Sequence, residues 1–486
     1  MKAIAANGQP AVSFRDPAGC CCVMEKSVLR VVGAGKVSEF DGFLKTRLAR
    51  EGLESKRLVS TRRLGDGEVA ARRESSILEA ILLERPDGAV FEHERIPFAS
   101  YAHEWPPEML WEAGRLTLEL GRSALAEGYG LKDATPRNIL FRGSQPVFID
   151  MLSFERRDPA DPVWKPYGQF IRTFLLPLLA NRRWGLRLGD VFSSRRDGLE
   201  PEEVYRMCGP LERFSPGILP LVSLPVWLGR KAGCQETIYQ ARPLANAEKA
   251  RYVVESVFSR LGRALRRLEP PARGKSAWSD YMAGQSYEGP ALAAKERFTK
   301  EALEQFRPSR VLDAGANTGH FSAMAAQAGA AVVAVDADPV CVGQIWRRAR
   351  AERLDILPLV VDLARPSPAL GWRNRECASF LERASRGFDG VLMLALAHHL
   401  LVTERIPLEQ IVAMASQLTT SLLLIEYVGP EDAMFRRLTH GREALHAGLT
   451  ERVFSEACAA HFEIVRSLVL PGTQRKMYCL KRRGAD

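Results

Sequence analysis

The second half of the chain repeats one pattern: a short apolar run, a polar or glycine-bearing break, a helical stretch, then another apolar run. Val311-Leu-Asp-Ala-Gly-Ala-Asn-Thr-Gly-His-Phe-Ser322 leads in this way into Ala331-Val-Val-Ala-Val-Asp336. Apolar runs of this length predict strands buried on both faces, and their alternation with helices predicts parallel βαβ units. Leu357-Pro-Leu-Val-Val-Asp362, Phe388-Asp-Gly-Val-Leu-Met-Leu and Leu422-Leu-Leu-Ile-Glu426 predict three further strands. Phe462-Glu-Ile-Val and Lys476-Met-Tyr-Cys-Leu predict a closing pair around the turn at Pro471-Gly472. Upstream, Arg251 to Leu268 reads as an amphipathic helix, broken by Glu269-Pro-Pro-Ala-Arg-Gly274. That break predicts a domain boundary near residue 270.

In a parallel sheet the ligand sits at the carboxyl ends of the strands. Acids fall there repeatedly: Asp313, Asp336, Asp362 and Glu426. Charges at such places cost stability unless they are solvated or used. Gly315 and Gly319 permit backbone conformations and a close ligand approach that a Cβ would obstruct. Asp336 follows at the end of the next strand, placed to hydrogen-bond ribose hydroxyls. A dinucleotide turn requires Gly-x-Gly-x-x-Gly, whereas the same register here gives Gly315, Asn317 and His320. Asp313 just ahead of the turn would repel a phosphate and suits a cationic ligand. Asn317 is among the residues that best tolerate a left-handed turn.

This ordered set resembles class I S-adenosylmethionine-dependent methyltransferases, with Asn317 in place of the middle glycine of their first motif. The resemblance covers roughly residues 285 to 486. It implies a Rossmann-like seven-stranded α/β domain with S-adenosyl-L-methionine as cofactor. Asp313, Gly315, Asn317 and Gly319 would then surround its methionine part, with Asp336 at the ribose and Asp362 at the adenine amino group. An N-terminal extension with Trp278, Tyr281, Tyr287 and Phe298 would cover the cofactor. Candidate catalytic residues are His398 and His399 after the fourth strand and Glu426 after the fifth, since a neutral imidazole or a carboxylate could remove a proton. Tyr427 and Asp432 stand beside Glu426 as further candidates, Asp432 also as the cap of a helix beginning near Ala433. No Asp, Glu or His set has metal-ligand spacing.

Composition narrows the class without changing it. The chain has 486 residues, enough for two or three domains, with hydrophobic and charged fractions of 46% and 26%. No apolar run approaches the roughly 20 residues of a membrane span, and the start lacks a signal pattern. Gly217 to Leu228 is the greasiest stretch but carries two internal prolines, so a buried segment or hydrophobic lid is expected. Nine cysteines without metal-site spacing read as reduced thiols in a cytoplasmic protein. Residues 275–486 hold 26 Lys and Arg against 24 Asp and Glu, and the first 274 hold 42 against 34. The basic excess therefore lies in the first half, although its arginines are scattered and no aromatic-interleaved RNA motif accompanies them.

The first half carries its own constellation. Lys132-Asp133-Ala-Thr-Pro-Arg-Asn138 is followed by Gln145-Pro-Val-Phe-Ile-Asp150. The segment resembles the catalytic lobe of protein-kinase-like and aminoglycoside-phosphotransferase-like folds. In those folds the first Asp orients the attacking hydroxyl, while the Asn and second Asp hold magnesium. Leu131 replaces the usual His, and no glycine follows the second Asp, whose successors are Met151 and Leu152. The expected organisation is an α+β domain over 1–270, resembling protein-kinase-like folds, and a methyltransferase domain over 271–486. Across the chain, Ser13-Phe-Arg-Asp-Pro, Lys132-Asp-Ala-Thr-Pro, Val147-Phe-Ile-Asp with Ser153-Phe-Glu, and His398-His-Leu resemble a bacterial two-part methyltransferase family of NoeA-like nodulation proteins.

Three readings follow. The first is a methyltransferase acting on a small-molecule acceptor selected by the first half. The second is an RNA or phosphate-end methyltransferase, because Asp-x-Gly-x-Asn-x-Gly-His resembles the motif of RNA 5′-phosphate methyltransferases; nucleic acid is the less favoured partner. The third is a bifunctional or scaffold protein whose kinase-like half binds a nucleotide or a partner. Oligomeric state is left open.

Overall fold

A computed structural model describes residues 15–24, 27–72, 76–232, 243–272, 276, 289–446 and 448–484. Trp278, Tyr281 and Tyr287 of the expected cofactor cover, and Ser13 and Phe14, lie outside the described residues. The chain forms two compact units. One comprises Met1–Phe141, Pro146–Pro270 and Leu370–Cys377, the other Arg142–Gln145, Pro271–Ala369 and Ala378–Asp486.

The first unit is α+β. Strands β1 (Gly19–Val23), β2 (Ser27–Val32), β3 (Thr61–Arg63) and β4 (Ala89–Glu94) make an antiparallel sheet of order β1-β2-β4-β3. Alternation along β1 sends Cys20 and Cys22 into an apolar cluster with Leu29, Val31 and Val90. Burial pushes the Cys22 thiol up to about 12, so it is an inert packing residue. Below the sheet in sequence come β5 (Tyr129–Leu131) paired with β8 (Phe154–Arg156), and the hairpin of β6 (Ile139–Arg142) and β7 (Gln145–Phe148).

The amphipathic helix spans Ala247–Arg267, capped by the Asn246 side chain, and buries Ala250, Val254, Phe258, Leu261 and Leu265. That stripe at spacings of three and four packs on the helix Pro107–Ala126, where Gly121 and Gly114 leave room for Phe258 and Leu265. The greasy stretch is only half buried. Val222 and Val226 are inside, whereas Leu224 and Leu228 on the helix Leu224–Ala232 face outward.

The second unit is a seven-stranded sheet: β9 (Arg310–Ala314), β10 (Ala331–Asp336), β11 (Ile356–Val360), β12 (Phe388–Met393), β13 (Thr419–Tyr427), β14 (Phe462–Val469) and β15 (Lys476–Arg482). Its order is β11-β10-β9-β12-β13-β15-β14. β9 to β13 run parallel, and β15 enters antiparallel between β13 and β14. The chain steps outward from β9 to β11, then restarts on the other side with β12. Sequence order therefore reverses between β9 and β12, and the crevice at their carboxyl ends is the place where such sheets hold ligands. The core follows from the near-continuous apolar character of the central strands: Val311, Val332, Ala334, Leu392, Leu422 and Leu424 share one cluster.

Candidate active site

Asp313 stands in the middle of the sheet, opposite Ala334 of β10 and Leu392 of β12. It is 3% exposed. The Ser322 hydroxyl donates to it at 2.5 Å. Burial pushes its carboxyl up to about 6, with the nearby Asp336 adding to the rise and the Lys295 ammonium opposing it. A carboxylate so placed costs the empty protein free energy that an incoming cation can return.

The turn after Asp313 uses three left-handed residues, Gly315 (φ 74°), Asn317 (φ 49°) and Gly319 (φ 79°). The amides of Gly315 and Ala316 both donate to the Val335 carbonyl, at 2.9 and 3.0 Å, which pins the turn to β10. Asn317 donates its amide to Asp336 at 2.8 Å, and its own side-chain oxygen accepts from Thr318 at 2.8 Å. The glycines serve packing as much as ligand approach. A Cβ on Gly315 would lie 3.2 Å from Leu396 Cδ1, and one on Gly319 would lie 2.9 Å from Ile345 Cγ1. The helix His320–Gln327 starts directly beyond, with His320 Nε2 2.7 Å from Glu296.

Asp336 ends β10 and accepts from the amides of Asn317 and, at 2.9 Å, Asp338; burial raises its pKa. Five of the expected cofactor residues, Asp313, Gly315, Asn317, Gly319 and Asp336, thus form one connected turn. Asp362 lies two residues past β11 and is turned into its own loop. It accepts from the Ala364 amide at 2.9 Å and pairs with Arg365 at 2.8 Å.

His398 and His399 open the helix Ala397–Val402. Their rings lie 4.2 Å apart between centroids. His398 is 2% exposed, and neither ring nitrogen has a hydrogen-bond partner among the described residues. Each such orphan costs about 1–3 kcal/mol. Burial holds its pKa well below the usual imidazole range, and the charges of His399, Arg475 and Lys295 push the same way. His399 is less enclosed and is lowered by burial and by Arg475.

Glu426 has a different occupation from the expected base. It lies inside β13, paired with Met477 of β15, and is fully buried. The Lys295 ammonium donates to it at 2.6 Å, and an Arg475 guanidinium nitrogen stands at 3.7 Å. Arg475 also grips Asp432 through two bonds of 2.7 and 3.0 Å. Glu426 is therefore the shared counter-ion of two buried cations. Asp432 caps the helix Ala433–Thr439 through the Met434 and Phe435 amides, and Tyr427 donates its hydroxyl to the Leu449 carbonyl.

Lys295 and Arg475 were not singled out by the sequence pattern. Lys295 did carry a signal: it occupies the i+4 place of the apolar stripe Ala291, Ala294, Phe298, Ala302 on the helix Pro290–Phe306. A lysine inside such a stripe has to find a buried partner. Arg475 sits in the irregular turn between β14 and β15, where no periodicity could mark it.

The first unit brings its own polar residues together. Asn138 donates its side-chain amide to the Asp133 carbonyl at 3.4 Å, and Gln169 donates to the Asp133 carboxylate at 3.2 Å. Asp150 pairs with Arg30 of β2 at 3.1 Å, and Lys132 with Asp16 at 3.1 Å.

The second unit is of the Rossmann-like α/β class, with an acid–glycine turn at the point where its strand order reverses. Over its whole length the chain is similar to the nodulation protein NoeA of Rhizobium meliloti (strain 1021), 28% identical across 481 residues that cover 98% of this chain and 96% of NoeA. No family model matches. Among solved structures it is similar to the N-methyltransferase NodS from Bradyrhizobium japonicum WM9 (14% identity, 41% of this chain and 100% of that one, TM-score 0.31). It is also similar to the bifunctional kinase-methyltransferase WbdD (16%, 41% of each chain, TM-score 0.31) and to magnesium protoporphyrin IX methyltransferase from Synechocystis PCC 6803 (19%, 48% and 99%, TM-score 0.30).

Proposed function

We propose that the second unit is an S-adenosyl-L-methionine-dependent methyltransferase that acts on a small-molecule acceptor. One observation carries the reading: a buried carboxylate, Asp313, precedes a left-handed turn at the switch point of the sheet, with Asp336 one strand away. A phosphate would be repelled there, and a sulfonium or ammonium group would relieve the charge on Asp313. Asp313 and the turn Gly315–Gly319 would hold the methionine part and Asp336 the ribose. The cofactor, when bound, supplies a methyl group activated by the positive sulfur. The chain's own task is then to align an acceptor and accept its proton.

Calorimetry tests this directly. S-adenosylmethionine and S-adenosylhomocysteine should bind the full chain and NAD should not, and Asp313→Ala should abolish binding. A wild-type chain that binds neither adenosyl compound would sink the proposal.

A further inference from the structure

Methyl transfer leaves the set Asp133, Asn138 and Asp150 of the first unit unused. We propose that Arg30 stands where the kinase-like resemblance would put magnesium, so that this set is closed by an internal ion pair and carries no metal-dependent phosphoryl transfer. A magnesium ion is held through one or two carboxylates, with oxygens at about 2.0–2.1 Å in octahedral geometry. Those oxygens have to be free of competing cations. Asn138 offers only a neutral oxygen, so the charge of such a site would rest on Asp150. Asp150 is already bonded to the Arg30 guanidinium at 3.1 Å. Asp16, which acts on the same guanidinium, is held by Lys132 at 3.1 Å. Two acids and two cations of the chain thus balance, and a divalent ion would enter against both cations. Among the described residues no group of three or more His, Cys, Asp and Glu side chains could hold a metal ion.

The ion pair has little room to open. Arg30 lies inside β2, opposite Cys21 of β1 and Phe91 of β4, so its register is fixed from both sides. Its side chain is buried, and Cγ passes 3.8 Å from where a Gly19 side chain would begin. Leu152, two residues past Asp150, reaches within 2.7 Å of the same point. Met151, Leu152 and Ser153 are all buried and run without a glycine into β8. The segment that carries Asp150 is therefore packed onto the sheet that carries Arg30. Moving Asp150 onto a metal would leave the guanidinium buried and unpaired, which is the costly way to break such a pair. Asp133 is engaged as well. Its carboxylate accepts from the Gln169 amide at 3.2 Å, while the Gln169 oxygen accepts from the Ala134 amide at 2.6 Å.

The test uses the full chain, treated with EDTA and desalted. Manganese ion is titrated in, alone and with ATP, and the free ion is read by electron paramagnetic resonance. Wild type should show no binding that Asp150→Asn removes. Its urea midpoint should be the same in EDTA and in magnesium, since an ion bound to the folded chain would raise it. Asp150→Asn should lower that midpoint in EDTA, because it leaves Arg30 buried without its partner. Arg30→Gln should bind manganese at least about tenfold tighter than wild type, and Arg30→Lys, which keeps the charge, should not. The proposal is overturned if wild type binds manganese in a way that Asp150→Asn abolishes, or if Asp150→Asn is as stable as wild type in EDTA. A folded Arg30→Gln that binds no tighter than wild type overturns it too. Should Arg30→Gln fail to fold, the wild-type and Asp150→Asn measurements decide alone.

Discussion

Replacing Asp313 by Asn should make the empty protein more stable and the cofactor-binding protein useless. The carboxylate is 3% exposed, accepts the Ser322 hydroxyl, and has its pKa pushed by burial to about 6 from the ordinary 3.8. Two pK units at 1.36 kcal/mol each give about 3 kcal/mol that the folded protein forfeits by ionising Asp313. The sign follows from proton counting. Between pH 4 and 6 the folded chain keeps a proton that the unfolded chain has released, so stability falls as pH rises through this window. Above pH 6 the whole cost is present, and below pH 4 it vanishes. Asp313→Asn should therefore gain up to about 3 kcal/mol at pH 7.5 and almost nothing at pH 4. That is an upper bound, because the new amide needs an acceptor.

Cofactor binding should move the opposite way. In wild type a cation beside Asp313 drives its proton off, so S-adenosylmethionine affinity should weaken below pH 6 and binding should release protons there. Urea denaturation at the two pH values, with calorimetry in buffers of different ionisation enthalpy, measures both effects. An Asn variant that is less stable at pH 7.5, or that binds S-adenosylmethionine as tightly as wild type, would refute the reasoning.

Gly319→Ala places a Cβ 2.9 Å from Ile345 at a φ of 79° and should cost about 1–3 kcal/mol by denaturant titration; a neutral result would mean that the turn can relax. Glu426→Gln removes the counter-ion of Lys295 and Arg475 and should cost about 3–5 kcal/mol, whereas Lys295→Met with Glu426→Leu should cost less than Glu426→Gln alone. Equal costs would argue against a buried pair. His93 of β4 is pushed down to about 3 by burial and then by Arg30, so its stabilising neutrality is lost as pH falls from 6.5 toward 3, and His93→Phe should flatten the stability curve in that range. An unchanged slope would show that His93 is protonated without penalty.

The central strands were legible because strands buried on both faces need near-continuous apolar runs, whereas the edge strand β14, buried only at Phe462, was marked by its pairing across the turn at Pro471-Gly472. The turn was legible for a related reason, since Gly and Asn are the residues that accept the left-handed backbone at 315, 317 and 319 with least strain. Side-chain pairing was not legible. Glu426 sits in the run Leu422-Leu-Leu-Ile-Glu426, which places it on β13, but its partners come from residues 131 and 49 positions away in the chain. No local pattern encodes such contacts. Asp362 illustrates the same limit, because its strand was foreseeable and its turn toward Ala364 and Arg365 was not. In the first half, the cation facing Asp150 could not be named from the sequence, because Arg30 lies 120 residues upstream on a strand whose register sets the meeting.

The buried charges around Glu426 argue that it is held as a structural counter-ion. Lys295, Glu426, Arg475 and Asp432 form a set of two cations and two anions with little access to water. Such a set is tolerable only while its charges balance and its bonds are made. If Glu426 took up a substrate proton, Lys295 and Arg475 would lose half of their compensation in a low-dielectric interior. Lys295, Glu426, Arg475 and Asp432 are therefore a fixed structural set, whose members hold one another in their charged forms.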